Sequence, residues 1–358
     1  MTMVRTAPAS AERPVFFPSM GEYPVYDDGV YDGFDAVDER CHAYRTALRR
    51  VAPGKVVLDV GTGRDALWAI ESARRGARHV YAIEAQAEVA AQARLAVSRA
   101  GMADRITVIT GSSMEVELPE PAEVCVSEIV GNIASAEGAL AVLADARARL
   151  CAADCAWVPF RMQTWAVAVD LTRAADDIDY AIATESVPYL RKIFTSVGHP
   201  FDVRLCLAGP VHDIGVSSAA PVESAIFDSR QDMPTAEATT MTDLRVDVPA
   251  ARLTGLLLWS RVAVLSQGPE IDTLTSDTRS WAPVYVPLSL PGIPVDAGGI
   301  VRVSFRRRLS DDGVHPDYEV SIDLPGATGV AEMETWSSRH HGRQFRASPF
   351  YRYLFPAT

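Results

Sequence analysis

Two glutamates nine positions apart, Glu128 and Glu137, bracket the segment EIVGNIASAE. A pair of carboxylates suits a guanidinium, because its planar N–H fork meets a carboxylate through two parallel hydrogen bonds. A guanidinium also stays protonated in proteins, so its nitrogens are poor nucleophiles until the cation is polarised. If Val130, Gly131 and Asn132 let the segment fold back, both carboxylates face one pocket and can clamp such a cation. One acid then orients it and the other draws electron density onto the reacting nitrogen.

The pair begins where the apolar run Val124-Cys125-Val126 ends, which predicts the carboxyl end of a strand, the place where open α/β sheets hold their ligands. From Val56 to Leu150 short apolar runs (VVLDV, HVYAIEA, RITVITG, EVCVSEI) alternate with helical segments (ALWAIESARRG, EVAAQARLAVSRAG, EGALAVLADARARL). This alternation predicts an α/β fold with a parallel, doubly wound sheet. Beyond Pro159 period-two runs take over (MQTWAVAVDL, GLLLWSRVAVLS, VYVPLSL, IVRVSFRRRL, YEVSIDL), separated by Gly, Pro and Asp turns. They predict an all-β second domain, sandwich or barrel, interrupted by one short helical segment, ATESVPYLRKIFTSVG. The expected division is an N-terminal segment over 1–50, a ligand-binding domain over 51–159 and a β domain over 160–358.

The segment LDVGTGRD runs a strand into Gly61 and Gly63, where missing side chains allow a tight turn and close approach of a ligand. Glu84 ends the next strand and is placed to accept ribose hydroxyls, as acids do in dinucleotide folds. These features predict a nucleoside site. A phosphate binder would supply a third glycine or a GK[ST] element, whereas this chain carries Arg64, Asp65 and Ala66. Asp65 would repel a pyrophosphate. S-adenosylmethionine has no phosphate and carries a sulfonium cation, so it fits this loop better than a dinucleotide.

The 358 residues carry a formal charge of −12, which opposes nucleic-acid binding and favours a cationic partner. Only Lys55 and Lys192 among the 34 basic residues are lysines, in keeping with a high-GC bacterial coding bias. The clusters Arg306 to Arg308 and Arg339 to Arg346 read as solvated surface. Five cysteines, scattered and without histidines at ligand spacing, read as buried small residues, and neither a disulfide framework nor a metal site is expected. No segment approaches the roughly 20 apolar residues of a membrane helix, and the N-terminus lacks a signal-type apolar core, so a cytoplasmic protein is expected.

LDVGTGRD, AIEA, ITGSSMEVELP (109–119) and SEIVGNIASAEGAL, in this order and spacing, resemble the S-adenosylmethionine-dependent protein arginine methyltransferases. DERCHAYRTAL (38–48) is similar to that family's helix over the cofactor. The likeness covers roughly residues 23–160 well and the remainder in outline. It implies a seven-stranded Rossmann-like methyltransferase domain, then a β-barrel carrying a helical dimerisation arm at about 173–215, and a head-to-tail homodimer. It also implies S-adenosyl-L-methionine as cofactor and S-adenosyl-L-homocysteine as product. Arg40 would pair with the cofactor carboxylate, Asp59, Gly61 and Gly63 would line its methionine and ribose, Glu84 would hold the ribose hydroxyls, and Ser113 and Met114 would sit beside adenine. Glu128 and Glu137 would grip the acceptor guanidinium, with Trp281 in the substrate pocket.

The chain departs from the family pattern at several positions. Asp65 replaces the third loop glycine, Met114 an acid that contacts the adenine amino group, and Val130 a frequent methionine. Arg279-Ser280-Trp281 replaces Thr-His-Trp, so the usual histidine is missing. The expected substrate is free L-arginine or another small guanidino compound in a bacterial biosynthetic pathway, with arginine in a peptide or protein as the alternative. No nucleic-acid or membrane partner is expected. An inactive cofactor-binding scaffold is disfavoured by the retained glutamate pair. An O- or C-methyltransferase would need a His or Lys base, for which only His42 and His79 fall in the matched segments.

Overall fold

The computed structural model describes residues 15–18, 38–173, 204–208, 214–249, 251–268, 270–276, 281–288, 292–324 and 332–340. Strand β1 (Val15–Pro18) comes first, then helix α1 (Glu39–Val51), whose start is fixed by Asp38: its Oδ1 accepts the Cys41 amide at 2.9 Å. Arg40, Cys41, Ala43, Tyr44, Ala47 and Leu48 recur at helical spacing and form the buried face of α1.

Five strands and three helices follow: β2 (Val56–Val60), α2 (Leu67–Arg74), β3 (His79–Glu84), α3 (Ala87–Arg99), β4 (Ile106–Thr110), β5 (Ala122–Ser127), α4 (Ala139–Arg149) and β6 (Cys151–Val158). β2 is buried at every position, as a central strand covered on both faces must be. The strands pair in parallel in the order β4-β3-β2-β5-β6. The chain winds outward through β3 and β4 and then returns to the other side of β2, so the crevice beyond β2 and β5 is the topological switch point. Among the described residues this sheet has five strands, where seven are implied by the family resemblance. After β6 the chain passes through Pro159 and Phe160 straight into the antiparallel pairing of the β domain.

That domain consists of β7 (Arg161–Val169), β8 (Leu205–Ala208), β9 (Ala220–Ile226), β10 (Ala238–Arg245), β11 (Ala251–Leu253), β12 (Gly255–Ala263), β13 (Glu270–Asp272), β14 (Val284–Pro287), β15 (Ile293–Val295), β16 (Ile300–Leu309), β17 (Pro316–Leu324) and β18 (Glu332–Ser338). One sheet runs β1-β8-β14-β12-β7-β9, with β13 on β12, and a second runs β10-β16-β17-β18. Leu244, Leu256, Leu258, Val303, Phe305 and Val320 share the apolar core of the two sheets. Met162, Ala225, Val262 and Ile271 instead join the core of the parallel sheet, so β7, β9, β12 and β13 pack directly on the first domain.

The alternation of β16 corrects one expectation. Val301, Val303, Phe305 and Arg307 all point inward, and Arg307 is 5 % exposed, while Arg308 is solvated. The cysteine reading is corrected at one position: Cys151 is half-buried, the other four are buried, and all five are free thiols. The segment ATESVPYLRKIFTSVG, most of the expected arm, Arg279-Ser280 and the ending ASPFYRYLF lie outside the described residues, and the described part of the arm range includes the strand β8 where a helical arm is expected.

Candidate active site

Glu128 follows β5 directly, and the next ten residues turn back on themselves before α4 begins. The turns are closed by backbone hydrogen bonds from Ala136 N to Ile133 O (2.9 Å) and from Gly138 N to Ser135 O (3.0 Å). At Gly131 the loop closes tightly on itself: a Cβ there would lie 2.8 Å from Ala136 Cβ. The fold-back brings the two glutamates within electrostatic reach of each other.

They are not equivalent. Glu128 accepts a hydrogen bond on each oxygen, from Arg40 Nη1 on Oε1 and from Trp68 Nε1 on Oε2 (2.7 Å). Arg40 comes from α1, is fully buried and lies 3.5 Å from Asp38. Burial works against its charge, but Glu128, Cys41 and Asp38 outweigh that and hold its pKa above the ordinary arginine value. Burial pushes the Glu128 carboxyl up, while Arg40 and Trp68 pull it back. Glu137 has no hydrogen bond or ion pair among the described residues. Burial, and then the charge of Glu128, push its carboxyl well above the usual range. The site thus holds one charge-compensated carboxylate beside one that still lacks a cation.

The resemblance implies Arg40 on a cofactor carboxylate; here its guanidinium is on Glu128. Trp68 was not foreseen, although a lone indole at the start of the short helix LWAIESAR is the signal that could have found it. Its ring stacks on Tyr44 at 4.7 Å, and Tyr44 Oη donates to Ser127 O at 3.1 Å, so α1, α2 and β5 are locked together around Glu128.

Gly61, Gly63, Glu84, Ser113 and Met114 lie at or just past the carboxyl ends of β2, β3 and β4. Gly61 and Gly63 have φ of 73° and 68°, and a Cβ on Gly61 would lie 3.2 Å from Ile129 Cγ2, which sets the glycine loop against the glutamate loop. Glu84 is fixed by backbone amides, Gly63 N to Oε2 and Gln86 N to Oε1, both 3.0 Å. Ser113 is buried beyond β4, its carbonyl accepting from Arg149 Nη2 at 2.7 Å, and Met114 beside it is half-buried. Trp281 is 7 % exposed, has φ 60° and belongs to the same apolar cluster as Val130. A bulky residue in the left-handed region is strained and is held there by its surroundings. His42 is exposed on the outer side of α1 and His79 bonds Thr107, so neither is placed as a base at this site.

Asp59 is fully buried on β2. Thr62 Oγ1 donates to its Oδ2 at 2.6 Å, while Oδ1 has no hydrogen-bond partner. Burial pushes its carboxyl from 3.8 up to about 7, against the Thr62 bond. Between these values the folded protein holds a proton that the unfolded chain has released, so this group makes stability fall as pH rises. Asp59→Asn is expected to flatten the decline in the melting temperature of the ligand-free protein across that window, an effect on the order of 4 kcal/mol at its upper limit. An unchanged slope would show that Asp59 ionises normally.

The β domain contributes a second, unforeseen layer. Ser260 Oγ donates to Gly131 O at 2.8 Å, and the Ala134 amide donates to Thr164 Oγ1 at 3.0 Å. Ser135 and Thr164 each donate to Glu223 at 2.5 Å, and Arg307 Nη1 donates to Glu223 Oε1 at 2.7 Å. Tyr318 Oη lies 2.8 Å from Ser135 Oγ. Every member is buried, so the glutamate loop is tied from behind to β7, β9, β12, β16 and β17.

Gly138, next to Glu137, has φ 79° at the start of α4, and a Cβ there would lie 2.7 Å from Val314 Cγ1. Gly138→Ala combines the left-handed penalty of about 1–2 kcal/mol with overpacking of about 1–3 kcal/mol. Urea unfolding is expected to show that loss, and Val314→Ala in the same chain is expected to return part of it.

No family model matches the chain. Protein arginine N-methyltransferase PRMT10 of Oryza sativa subsp. japonica is 41 % identical over 129 residues, 35 % of this chain and 33 % of that relative. The chain thus matches about a third of that relative's length. The crystal structure of Arabidopsis thaliana protein arginine methyltransferase 10 superposes with a TM-score of 0.66, covering 88 % of this chain and 97 % of that one at 20 % identity. The Trypanosoma brucei PRMT1 enzyme-prozyme heterotetrameric complex with AdoHcy gives 0.62, covering 84 % and 95 % at 23 % identity. In sequence the chain is similar to a protein arginine methyltransferase over about a third of its length, and over most of its length it shares the fold of solved structures of that family.

Proposed function

We propose that this protein is an S-adenosylmethionine-dependent N-methyltransferase acting on the guanidino group of arginine. The observation that carries this reading is the unequal glutamate pair: Glu128 is compensated by Arg40 and Trp68, whereas Glu137 is half-buried and has no cationic partner among the described residues. A guanidinium relieves that imbalance, and a neutral acceptor does not.

The residues present fit the cofactor. The Asp59 Oδ1 lone pairs are unused at the end of β2, the glycine loop presents backbone there, and backbone amides hold Glu84 with acceptor capacity left for two hydroxyls. Asp59, Gly61, Gly63, Glu84, Ser113 and Met114 would hold it, and Arg40, with five N–H donors, can serve a carboxylate while keeping Glu128. When bound, it supplies an electrophilic methyl on a sulfonium centre and leaves as S-adenosylhomocysteine.

Glu128 and Glu137 fix the acceptor plane and draw positive charge away from the reacting nitrogen, a contribution of positioning and electrostatics. Arg40 and Trp68 keep Glu128 in one orientation while this happens. The proton lost from the methylated nitrogen meets Glu137, which burial makes more basic than an exposed carboxylate.

The relatives are named for arginine in proteins and histones, and that substrate class is placed first. Free arginine is the second reading, supported by Arg279-Ser280-Trp281 in place of the family's histidine-bearing loop. Labelled S-adenosylmethionine offered with an arginine-glycine peptide, and separately with free arginine, separates the two. Label in neither acceptor would remove the activity. A homodimer is part of the same proposal, and an active monomer in light scattering would remove that part.

A further inference from the structure

The ligand-type side chains in the turn between β16 and β17 are not used by the methyl-transfer chemistry. Asp312 and His315 lie in this turn and His340 lies just past β18. Their donor atoms all fall within 4.8 Å of one another. The sequence does not point to a metal site, because the cysteines lack histidines at ligand spacing and two histidines 25 positions apart show none either. The fold makes them neighbours.

We propose that Asp312, His315 and His340 form a binding site for a divalent transition metal of the zinc class. The carboxylate is already oriented. Asp312 Oδ1 accepts from Val314 N (2.8 Å), His315 N (2.9 Å) and Ser310 Oγ (2.8 Å), which leaves Oδ2 as the ligand atom. Both histidines converge on that oxygen, His315 Nδ1 at 2.6 Å and His340 Nε2 at 3.4 Å. His340 is placed by its own backbone, whose amide donates to Asp317 Oδ1 at 2.9 Å.

Tetrahedral zinc bonds of about 2.0–2.2 Å set neighbouring ligand atoms about 3.3 Å apart. The His340 separation already meets this, and the His315 separation must open by a fraction of an ångström. The two rings are stacked, 4.0 Å apart with 4° between their planes, so their lone pairs converge only after the rings turn about χ2. That torsion is broad for histidine, and side-chain exposures of 31 % and 13 % leave room for it. Two imidazoles and one carboxylate select Zn²⁺, Co²⁺ or Ni²⁺ over Ca²⁺ or Mg²⁺, which want an all-oxygen shell. The exposed side of Asp312 leaves a coordination position for water or an outside ligand.

The site reaches the glutamate loop through one contact. Val314, between the two turn ligands, is the residue seated against Gly138. A metal ion would clip the end of β18 to this hairpin and so brace the wall on which the Glu137 segment rests.

The test uses the full chain, stripped of metal, titrated with Co²⁺ by absorption and with Zn²⁺ by calorimetry. One ion per chain is expected, with the visible bands of tetrahedral Co²⁺ and no thiolate charge-transfer band, and Zn²⁺ is expected to raise the melting temperature. His315→Ala and His340→Ala, both partly exposed positions, are expected to keep the metal-free melting temperature and to weaken binding at least about tenfold. Absence of saturable binding would overturn the site. So would an affinity unchanged from the parent in both variants, or a thiolate band pointing to Cys125, Cys151 and Cys155.

Discussion

Glu137→Gln is expected to lower the rate of methyl transfer by about 10³-fold while the protein stays folded and still binds the cofactor. The substitution keeps size and shape and removes one charge. That charge is what the guanidinium needs, because Glu128 is already shared between Arg40 and Trp68. Without it the acceptor keeps one partially neutralised partner, and its nitrogen loses both polarisation and proton acceptor. Stability should move the other way. Burial and Glu128 disfavour the ionised form of Glu137, so a neutral amide is expected to hold the melting temperature or raise it. Single-turnover transfer, calorimetry with S-adenosylhomocysteine and a thermal melt measure the three quantities separately. Transfer within a few-fold of the parent would remove Glu137 from the mechanism.

Arg307→Met is expected to cost about 3–5 kcal/mol of folding free energy, because it leaves Glu223 buried without its cation. Glu223 is 2 % exposed and gathers three donors, of which Arg307 is the only charged one. Arg307 also donates to the carbonyls of Thr235 and Ala236, at 2.8 and 3.0 Å, so its loss orphans acceptors as well as a carboxylate. Combining Arg307→Met with Glu223→Gln removes the stranded charge and is expected to recover more than half of the loss, whereas a role limited to packing would leave the two effects additive. Denaturant midpoints at constant slope provide the measurement. Turnover of the double variant is expected to stay low, since Ser135 and Thr164 then hold the glutamate loop through a neutral, weaker acceptor.

The parallel sheet was legible because fully buried strands separated by helices leave a strong pattern: VVLDV, HVYAIE and EVCVS are strands at the places their apolar runs indicate. The glutamate loop was legible for a related reason, since a carboxylate at a strand's end can only face the ligand side of such a sheet. β6 was not, because its opening residues, CAAD, are small and polar and lack the branched side chains that mark a strand. Arg307 was misread because three consecutive arginines look alike in sequence, and only the pleat of β16 decides which one turns inward. Glu223 and Thr164 depend on the register of β9 on β7, which shifts between Thr164 and Trp165, an irregularity that local sequence does not announce. The pairing of Arg40 with Glu128 joins residues 88 positions apart and follows from how α1 docks.

Residues 131–135 are held through two backbone groups and the Ser135 hydroxyl by hydroxyls and a carboxylate that all belong to strands beyond Pro159. The two halves of the chain are therefore not exchangeable parts. A chimera that joins residues 51–159 to the β domain of a protein arginine methyltransferase would carry over the glycine loop and Glu84 intact. It would carry the glutamates as sequence only, with their spacing and aim left to whatever polar groups the new neighbour presents. Recombination at this seam should accordingly yield proteins that still take up the cofactor long after they have ceased to recognise an acceptor.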